Sequence, residues 1–408
     1  MPQTDIIIMS KKEINRYVII RRLIRKEING TDAAKLLSLS VRQTKRLKAK
    51  VKKRGAVGII HGNRGKESPL QVPIEEQRNI VALVQEKYYD FGPTLAAEKL
   101  LENHGIKRDP KTIRQIMIEN NLWKPKVKKQ EQHRFWRQRR SNFGEMEQFD
   151  GSYHDWFEDR APKCCLLIAI DDATGIITAG KFVQDEGVFP VFDFWLNYLK
   201  KQGKPASIYM DKFSTYKMSQ KVAIENHDLK TQFQRALSEL QINPIFANSP
   251  QAKGRVEKVF KTLQDRLVKE LRLNGISDIC LANKYLEKTF FPKFNRQFGI
   301  EPRSKENFHR SLTAKELNEL ESIFSRQETR TVQNDFTVSF NNQWYQLTEK
   351  QPVTICKRDK LTVEWRLDNS IKLRLRGKYL NYMLIEKDYN RPKVKVPWVI
   401  PATISQTN

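Results

Sequence analysis

Residues 249–267 read SPQAKGRVEKVFKTLQDRL, and this stretch decides how the rest of the chain is read. Ser249-Pro250 opens it and Gly254 ends a polar turn; Val256, Phe260, Leu263 and Leu267 then recur at i, i+4, i+7 and i+11. That spacing predicts a helix with one apolar stripe against a core. Glu257 lies beside the stripe in the first turns, where a carboxylate can face a cleft. Working outward, three β-rich runs precede the helix: EQFDGS at 147–152, CCLLIAIDDATG at 164–175 and ASIYMDKFST at 206–215. The first and third meet a polar turn at an aspartate, Asp150 and Asp211.

Two strand-end aspartates and a helix-borne glutamate can supply oxygen ligands to Mg²⁺, a hard cation that prefers carboxylates and keeps positions open for water and phosphate. A pair of such ions, roughly 4 Å apart, clamps the attacking and leaving oxygens of an in-line phosphoryl displacement. Asp171 and Asp172, at the turn after the second run, are the rival acids. His154-Asp155 invites a general-base reading, but a metal-activated hydroxide needs no histidine. Lys253 and Lys261 stand four residues on either side of Glu257, on its helix face, where they could hold flanking phosphates; surface lysines beside an acid are the plain alternative.

The order strand-Asp, strand, strand, helix, strand-Asp and then Asn248-Ser249-Pro250-Gln251-Ala252-Lys253-Gly254-Arg255-Val256-Glu257 on a helix resembles the catalytic core of DDE transposases and retroviral integrases. Over nearly its full length the chain resembles a bacterial insertion-sequence transposase of the ISNCY group. The resemblance implies that Asp150, Asp211 and Glu257 are the catalytic triad and hold two Mg²⁺ ions, with Mn²⁺ as a substitute. It also implies that Asp171 and Asp172 cap a hairpin away from the metals. The 45 residues from 212 to 256 exceed the spacing of the family's compact members, and Tyr216–Thr231 supplies the excess as a loop or short helix. The mixed strand and helix order fits an RNase H-like α/β fold.

Before this core the chain reads as helical. Residues 11–28 form a first helix, Thr31 caps a short one over Asp32–Ser38, and Ser40 caps a third over Val41–Lys53. Val41, Thr44, Leu47 and Val51 face inward, leaving Arg42, Gln43, Lys45, Arg46 and Lys48 outward. A short helix, a tight turn and a basic second helix match helix-turn-helix geometry, whose outward side chains enter the major groove. From Val41 to Lys66 there are ten Lys and Arg and no acid, whereas a merely solvated face mixes signs. A second module follows. A helix starts at Pro73, another at Thr94, and Asp109-Pro110 opens a third that buries Thr112, Ile113, Ile116 and Met117 and exposes Lys111, Arg114 and Gln115. A supporting bundle is the competing reading of this module.

The chain is therefore expected to be multidomain, with N-terminal all-α helix-turn-helix modules, a central α/β RNase H-like core and a C-terminal small SH3-like β-barrel. The expected boundaries are a helix-turn-helix domain at 1–54, a basic Gly-rich linker at 55–71, a second module at 72–122 and a basic linker at 123–145. The catalytic core spans 146–275, a helical extension 276–328, the barrel 329–386 and a tail 387–408. The barrel strands are Thr331–Phe340, Gln343–Leu347, Val353–Lys357, Leu361–Leu367 and Ile371–Arg376, with Arg366, Arg374 and other basic residues pointing outward toward DNA or a second protomer.

Bulk composition agrees. The net charge of +27, from 74 basic and 47 acidic residues, predicts a polyanion partner. The four cysteines, at 164, 165, 280 and 356, form no CxxC and read as core residues of a reducing cytosol. No run approaches the roughly 20 apolar residues of a membrane span. The expected activity is transposition: binding of the element's terminal inverted repeats, 3′-end cleavage and strand transfer into target DNA, by a homodimer or higher homo-oligomer in the bacterial cytoplasm at the nucleoid. The alternatives are a DNA-binding regulator with an inactive nuclease fold and a structure-specific nuclease that does not join.

Overall fold

A computed structural model of the 408-residue chain describes residues 7–65, 71–125, 138–211, 232–247 and 254–385. The chain divides into two compact units, Met1–Lys126 and Val127–Asn408.

The first unit is helical. Helix α1 (Lys11–Ile24) starts at a capping box in which Ser10 and Glu13 satisfy each other's backbone N–H groups. Helix α2 spans Gly30–Leu37 and is capped by Asn29, whose Oδ1 accepts the Asp32 N–H at 2.8 Å. The sequence reading gave this role to Thr31, but the Thr31 hydroxyl donates to Asn29 Oδ1 instead. Helix α3 (Val41–Arg54) opens at Ser40, as expected. Ile19, Ile20, Leu23, Ala33 and Val51 form the core of these three helices, while Val41, expected inside, is exposed. The stretch expected to be linker from Gly55 begins instead with a 3-10 turn, Gly55–Ile59, that buries Ile59 in the same core. There Gly58 rides on the Lys50 carbonyl, where a Cβ would come within 2.5 Å. Helices α4 (Ile74–Lys87), α5 (Pro93–His104) and α6 (Pro110–Glu119) follow, with α6 packed on α4 and α5 and capped by Asp109 as expected.

The second unit is built on a mixed sheet. A short strand β1 (Asn142–Phe143) precedes β2 (Glu147–His154), β3 (Cys164–Asp171) and β4 (Ile177–Val183). Helix α7 (Val188–Gln202), β5 (Ser207–Asp211), α8 (232–239), β6 (Asn243–Ala247) and α9 (Gly254–Leu273) follow. The sheet order is β4-β3-β2-β5-β6; the first three strands are an antiparallel meander, and β5 and β6 join parallel to β2. The two-residue period of the strands divides their side chains between two cores. Cys165, Leu167 and Ala169 of β3 face α7 and α8, while Cys164, Leu166, Ile168 and Ile170 face α9 and its stripe of Val256, Phe260, Leu263 and Leu267.

The edge strand β4 is covered by α10 (Ile279–Tyr285) and α11 (Phe291–Phe298), joined through a π-turn at Leu286–Phe290. Asn283 and Asn295 each use their side-chain amide as a strand surrogate. Each accepts a backbone N–H of β4 (Phe182 and Ile177) and donates to the same residue's carbonyl. This satisfies an edge that would otherwise offer open pairing groups. Beyond β7 (Ser304–Asn307) and α12 (Ala314–Ile323) lie the C-terminal strands β8 (Arg326–Thr331), β9 (Thr337–Phe340), β10 (Gln343–Leu347), β11 (Lys360–Trp365), β12 (Ile371–Leu375), β13 (Lys378–Tyr379) and β14 (Tyr382–Ile385). Their ladders group them into a three-stranded sheet, β14-β10-β9, and a four-stranded sheet, β13-β12-β11-β8, around one shared core. The expected strand at Val353–Lys357 does not form; Val353 and Ile355 pack on that core from a loop. Cys280 and Cys356 are exposed, unlike the buried Cys164 and Cys165. Among the described residues no helix is long and apolar enough to cross a membrane.

Candidate active site

Strand β2 faces the α7 core through Phe149 and presents Asp150 on its opposite face. The Phe149 ring packs against Phe194 and Trp195 of α7, at 5.2 and 5.3 Å between centroids. Asp150, the next residue, pairs across the ladder with Ile168, whose side chain lies in the α9 core. Directly paired residues share a face, so Gln148, Asp150 and Ser152 all belong to the α9 side of the sheet.

Helix α9 is tethered to that face on either side of Asp150. Near its start Arg255 forms an ion pair with Asp172, which also receives the Gln148 amide. Further along, Gln264 donates to Ser152 Oγ at 3.2 Å. Glu257 lies between the two tethers, exposed, directly after the fully buried Val256.

The expectation that the first strand ends at Asp150 is corrected: β2 runs on to His154, because residues 151–154 keep pairing with 164–167 of β3. What stops earlier is the parallel pairing with β5, which joins Glu147 to Ile208 and Gln148 to Tyr209. Asp150 lies two residues beyond Gln148, and Asp211 two beyond Tyr209, so the two positions stand level on neighbouring strands. Asp211 closes β5, and its side chain lies outside the described set.

The rival acids are engaged elsewhere. Asp171 is fully buried and accepts Thr174 N–H at 2.8 Å, Thr174 Oγ1 at 2.6 Å and Gly144 N–H at 2.9 Å. Burial raises its carboxyl above the ordinary range while these hydrogen bonds pull it back. Asp172 is buried under Gln148, Arg255 and the Arg140 N–H. Burial, and next the adjacent Arg255, holds the Arg139 guanidinium beside this pair below its usual value.

Sequence reasoning passed over Glu147. It is fully buried on the α7 face, takes the Thr178 hydroxyl at 2.6 Å on Oε2, and has no hydrogen-bond partner for Oε1 among the described residues. Burial, reinforced by the charge of Asp171, pushes its carboxyl up to about 8. Tyr198 and His309 complete the pocket, joined to each other at 2.7 Å. The available signal was its position: Glu147 precedes Gln148 and Phe149 in a run whose alternate residues had to face a core.

Arg42, Lys45 and Arg46 are exposed on α3, as Lys111 and Arg114 are on α6. Gln43 is exposed too, but its Oε1 accepts the Ser40 N–H at 3.3 Å in a capping box, which occupies the group expected to read a base. The Arg114 guanidinium sits 5.0 Å from the Trp123 ring centroid. Lys261 is exposed one turn after Glu257, and Lys253 lies outside the described residues. In the C-terminal module Arg366 and Arg374 turn back to the fully buried Glu364, at 3.3 and 3.1 Å, so the outward role expected of them is corrected. A buried carboxylate requires paired charge more than a surface requires two more arginines.

Among the described residues no three His, Cys, Asp or Glu side chains form a metal cluster. The proposed third ligand, Asp211, falls outside that set. The donor set itself, all carboxylate oxygen, fits a hard divalent cation.

No protein-family profile matches the chain. A putative transposase, y4bF, of Sinorhizobium fredii is 38% identical to it over 383 residues, covering 94% of this chain and 83% of that protein. The transposase for insertion sequence IS1202 of Streptococcus pneumoniae is 28% identical over 403 residues, covering 90% of this chain and 85% of that one. Among solved structures, the chain aligns with a simian T-cell lymphotropic virus intasome in complex with the PP2A regulatory subunit B56 gamma. That match has 14% identity, a TM-score of 0.32, and coverage of 74% of this chain and 98% of that one. The HTLV-2 integrase catalytic core domain in complex with magnesium aligns at 17% identity and a TM-score of 0.28, over 37% of this chain and 91% of that one. Likenesses this slight decide nothing about the present fold.

Proposed function

The chain belongs to the transposase family, and from that premise we propose that it is a DDE enzyme acting on the ends of its own insertion sequence, with Asp150, Asp211 and Glu257 as its triad. The observation that carries this reading is the level placement of Asp150 and Asp211 on adjacent strands, with the helix of Glu257 tethered across the same face. The sheet order is read as an RNase H-like core, and the two C-terminal sheets as an SH3-like accessory module. For the domain boundaries we keep those read from the sequence as a proposal, with the first module extended through the packed turn at Ile59.

The three carboxylates would hold divalent metal, Mg²⁺ or Mn²⁺, whose contribution when bound is to activate water and stabilise charge on the phosphate oxygens. The chain's own residues orient the DNA. Exposed Arg42, Lys45 and Arg46 on α3, and Lys111 and Arg114 on α6, engage the terminal repeats, and Lys261 beside Glu257 holds a phosphate near the scissile bond. In the first step water attacks phosphorus and the P–O3′ bond at the element's end breaks, freeing a 3′-hydroxyl. In the second, that hydroxyl attacks a target phosphodiester and the target's own 3′-oxygen leaves. Two ends must be joined, which calls for at least two protomers.

The test is strand transfer by purified protein in Mg²⁺ on labelled duplexes from the element's ends, with Glu257→Gln as control. Joined product from the wild type and none from the variant is the expected result. Cleavage without joining would indicate a nuclease, salt-sensitive binding with neither product would indicate a regulator, and equal activity of the variant would refute the triad.

A further inference from the structure

We infer that Asp172 is a positioning residue that fixes the helix of Glu257 to the strand of Asp150, an inference that rests on the triad proposed above. Asp172 is 1% exposed, directly after the end of β3. Its Oδ1 receives both the Gln148 amide and the Arg255 guanidinium, and its Oδ2 receives the Arg140 N–H at 2.8 Å. Its backbone is fixed as well, with the N–H donated to the Met146 carbonyl at 3.0 Å. One carboxylate thus joins the entry to the core, strand β2 and helix α9.

The two side chains it holds are each two residues from a proposed catalytic acid. Gln148 precedes Asp150 on the same strand face, and it also pairs with Tyr209, two residues before Asp211. Arg255 precedes Glu257 in the first turn of α9. Two residues are about 6.6 Å along a strand and about 3 Å along a helix, so a shift at Asp172 reaches all three acids through short, hydrogen-bonded levers. A neutral group in its place would remove the buried counter-charge of the Arg255 guanidinium, whose own side chain is 21% exposed. Asp171 differs: its side-chain bonds to Thr174 close the adjacent turn, its bond to the Gly144 N–H holds the segment between β1 and β2, and none of them reaches a residue of β2 or α9. Asp172 is also a poorer metal ligand than an open carboxylate, since it is buried and its charge is already matched by the Arg255 guanidinium.

The test uses the full chain as Asp172→Asn, Arg255→Gln and the double variant, with Glu257→Gln as reference. Mn²⁺ binding is measured by calorimetry in the absence of DNA, end cleavage is measured against Mg²⁺ concentration, and end binding by mobility shift. Groups that orient metal ligands change metal affinity or activity by about 10–100-fold. Each single variant is therefore expected to weaken Mn²⁺ binding at least about tenfold and to move the Mg²⁺ midpoint upward, with cleavage recovering at high metal. End binding should stay within about twofold. The double variant should lose less than the sum of the two single losses, because the two residues share a contact, and Arg255→Lys should restore part of the loss.

An unchanged metal dependence in folded Arg255→Gln or Asp172→Asn would overturn the inference, as would fully additive losses. Loss of cleavage at every metal concentration, as in Glu257→Gln, would overturn it in favour of direct ligation. If Glu257→Gln itself leaves Mn²⁺ binding and cleavage intact, the triad fails and this inference falls with it.

Discussion

Raising the pH should loosen this core through one carboxyl group, Glu147. Its side chain is fully buried and its carboxyl is pushed from an ordinary 4.5 up to about 8, so the folded state holds a proton that the unfolded chain has already released. The folded pKa is above the unfolded one. The stability contributed by the protonated form is therefore fully present below about pH 4.5 and lost as pH rises through about 8. Over the whole window linkage gives about 5 kcal/mol, and between pH 6 and pH 9 about 3 kcal/mol. His309, beside it, has the opposite sign. Burial holds its imidazole below the usual value, so its contribution is lost as pH falls below about 6.5, where the unfolded histidine protonates. The assay is urea unfolding followed by tryptophan fluorescence, since Trp156 and Trp195 are fully buried on the two faces of the sheet. Glu147→Gln keeps an acceptor for Thr178 and cannot ionise, so the stability gap between variant and wild type should widen by about 3 kcal/mol from pH 6 to pH 9. Parallel profiles for the two proteins would refute the reasoning, because they would mean that Glu147 titrates alike in the folded and unfolded chains.

Two further outcomes follow from the same structure. Gly180 on β4 lies under the Phe291 ring, which a Cβ would meet at 2.3 Å; Gly180→Ala should cost about 1–3 kcal/mol by overpacking, and Phe291→Leu should recover part of it in a double-mutant cycle. Arg42→Ala with Arg46→Ala, both exposed on α3, should leave unfolding within about 0.5 kcal/mol of wild type. The slope of end-DNA affinity against salt should drop by about 0.9 for each phosphate that these arginines no longer neutralise, and an unchanged slope would remove α3 from the DNA interface.

Much of this architecture was legible because its signals are periodic. The stripe Val256, Phe260, Leu263, Leu267 could be read without knowing what it packs on, and all four residues are buried against the even-numbered residues of β3. Local chemistry was legible where one side chain closes one turn, as at Ser40 and Asp109, and less so where two candidates adjoin, as with Asn29 and Thr31. Readings failed where a distant partner decides. The end of β2 is set by the ladder with β3, the turn at Gly55–Ile59 by the core beneath it, and the direction of Arg366 and Arg374 by Glu364, buried between them. The role of Asp172 was illegible for the same reason, since Gln148 and Arg255 lie 24 and 83 residues away in sequence.

The placement of the proposed acids has a common physical basis. Each follows directly on a residue locked into a core: Phe149 before Asp150, Met210 before Asp211 and Val256 before Glu257, exposed by 4%, 3% and 0%. Phe149 and Met210 share the core under α7, and Val256 belongs to the core under α9. An acid beside such an anchor inherits a fixed backbone, because displacing it would pull an apolar side chain out of close packing. Sites carried on strands and helices hold their geometry better than sites on loops. Packing therefore adds to the positioning that the hydrogen bonds of Asp172 supply. The prediction is that weakening an anchor acts on the metal dependence before it acts on the fold. Val256→Ala should raise the Mg²⁺ midpoint for cleavage at a stability cost of about 1–3 kcal/mol. Leu271→Ala, on the same helix but about four turns from Glu257, should lower stability by a similar or larger amount and leave the midpoint unmoved.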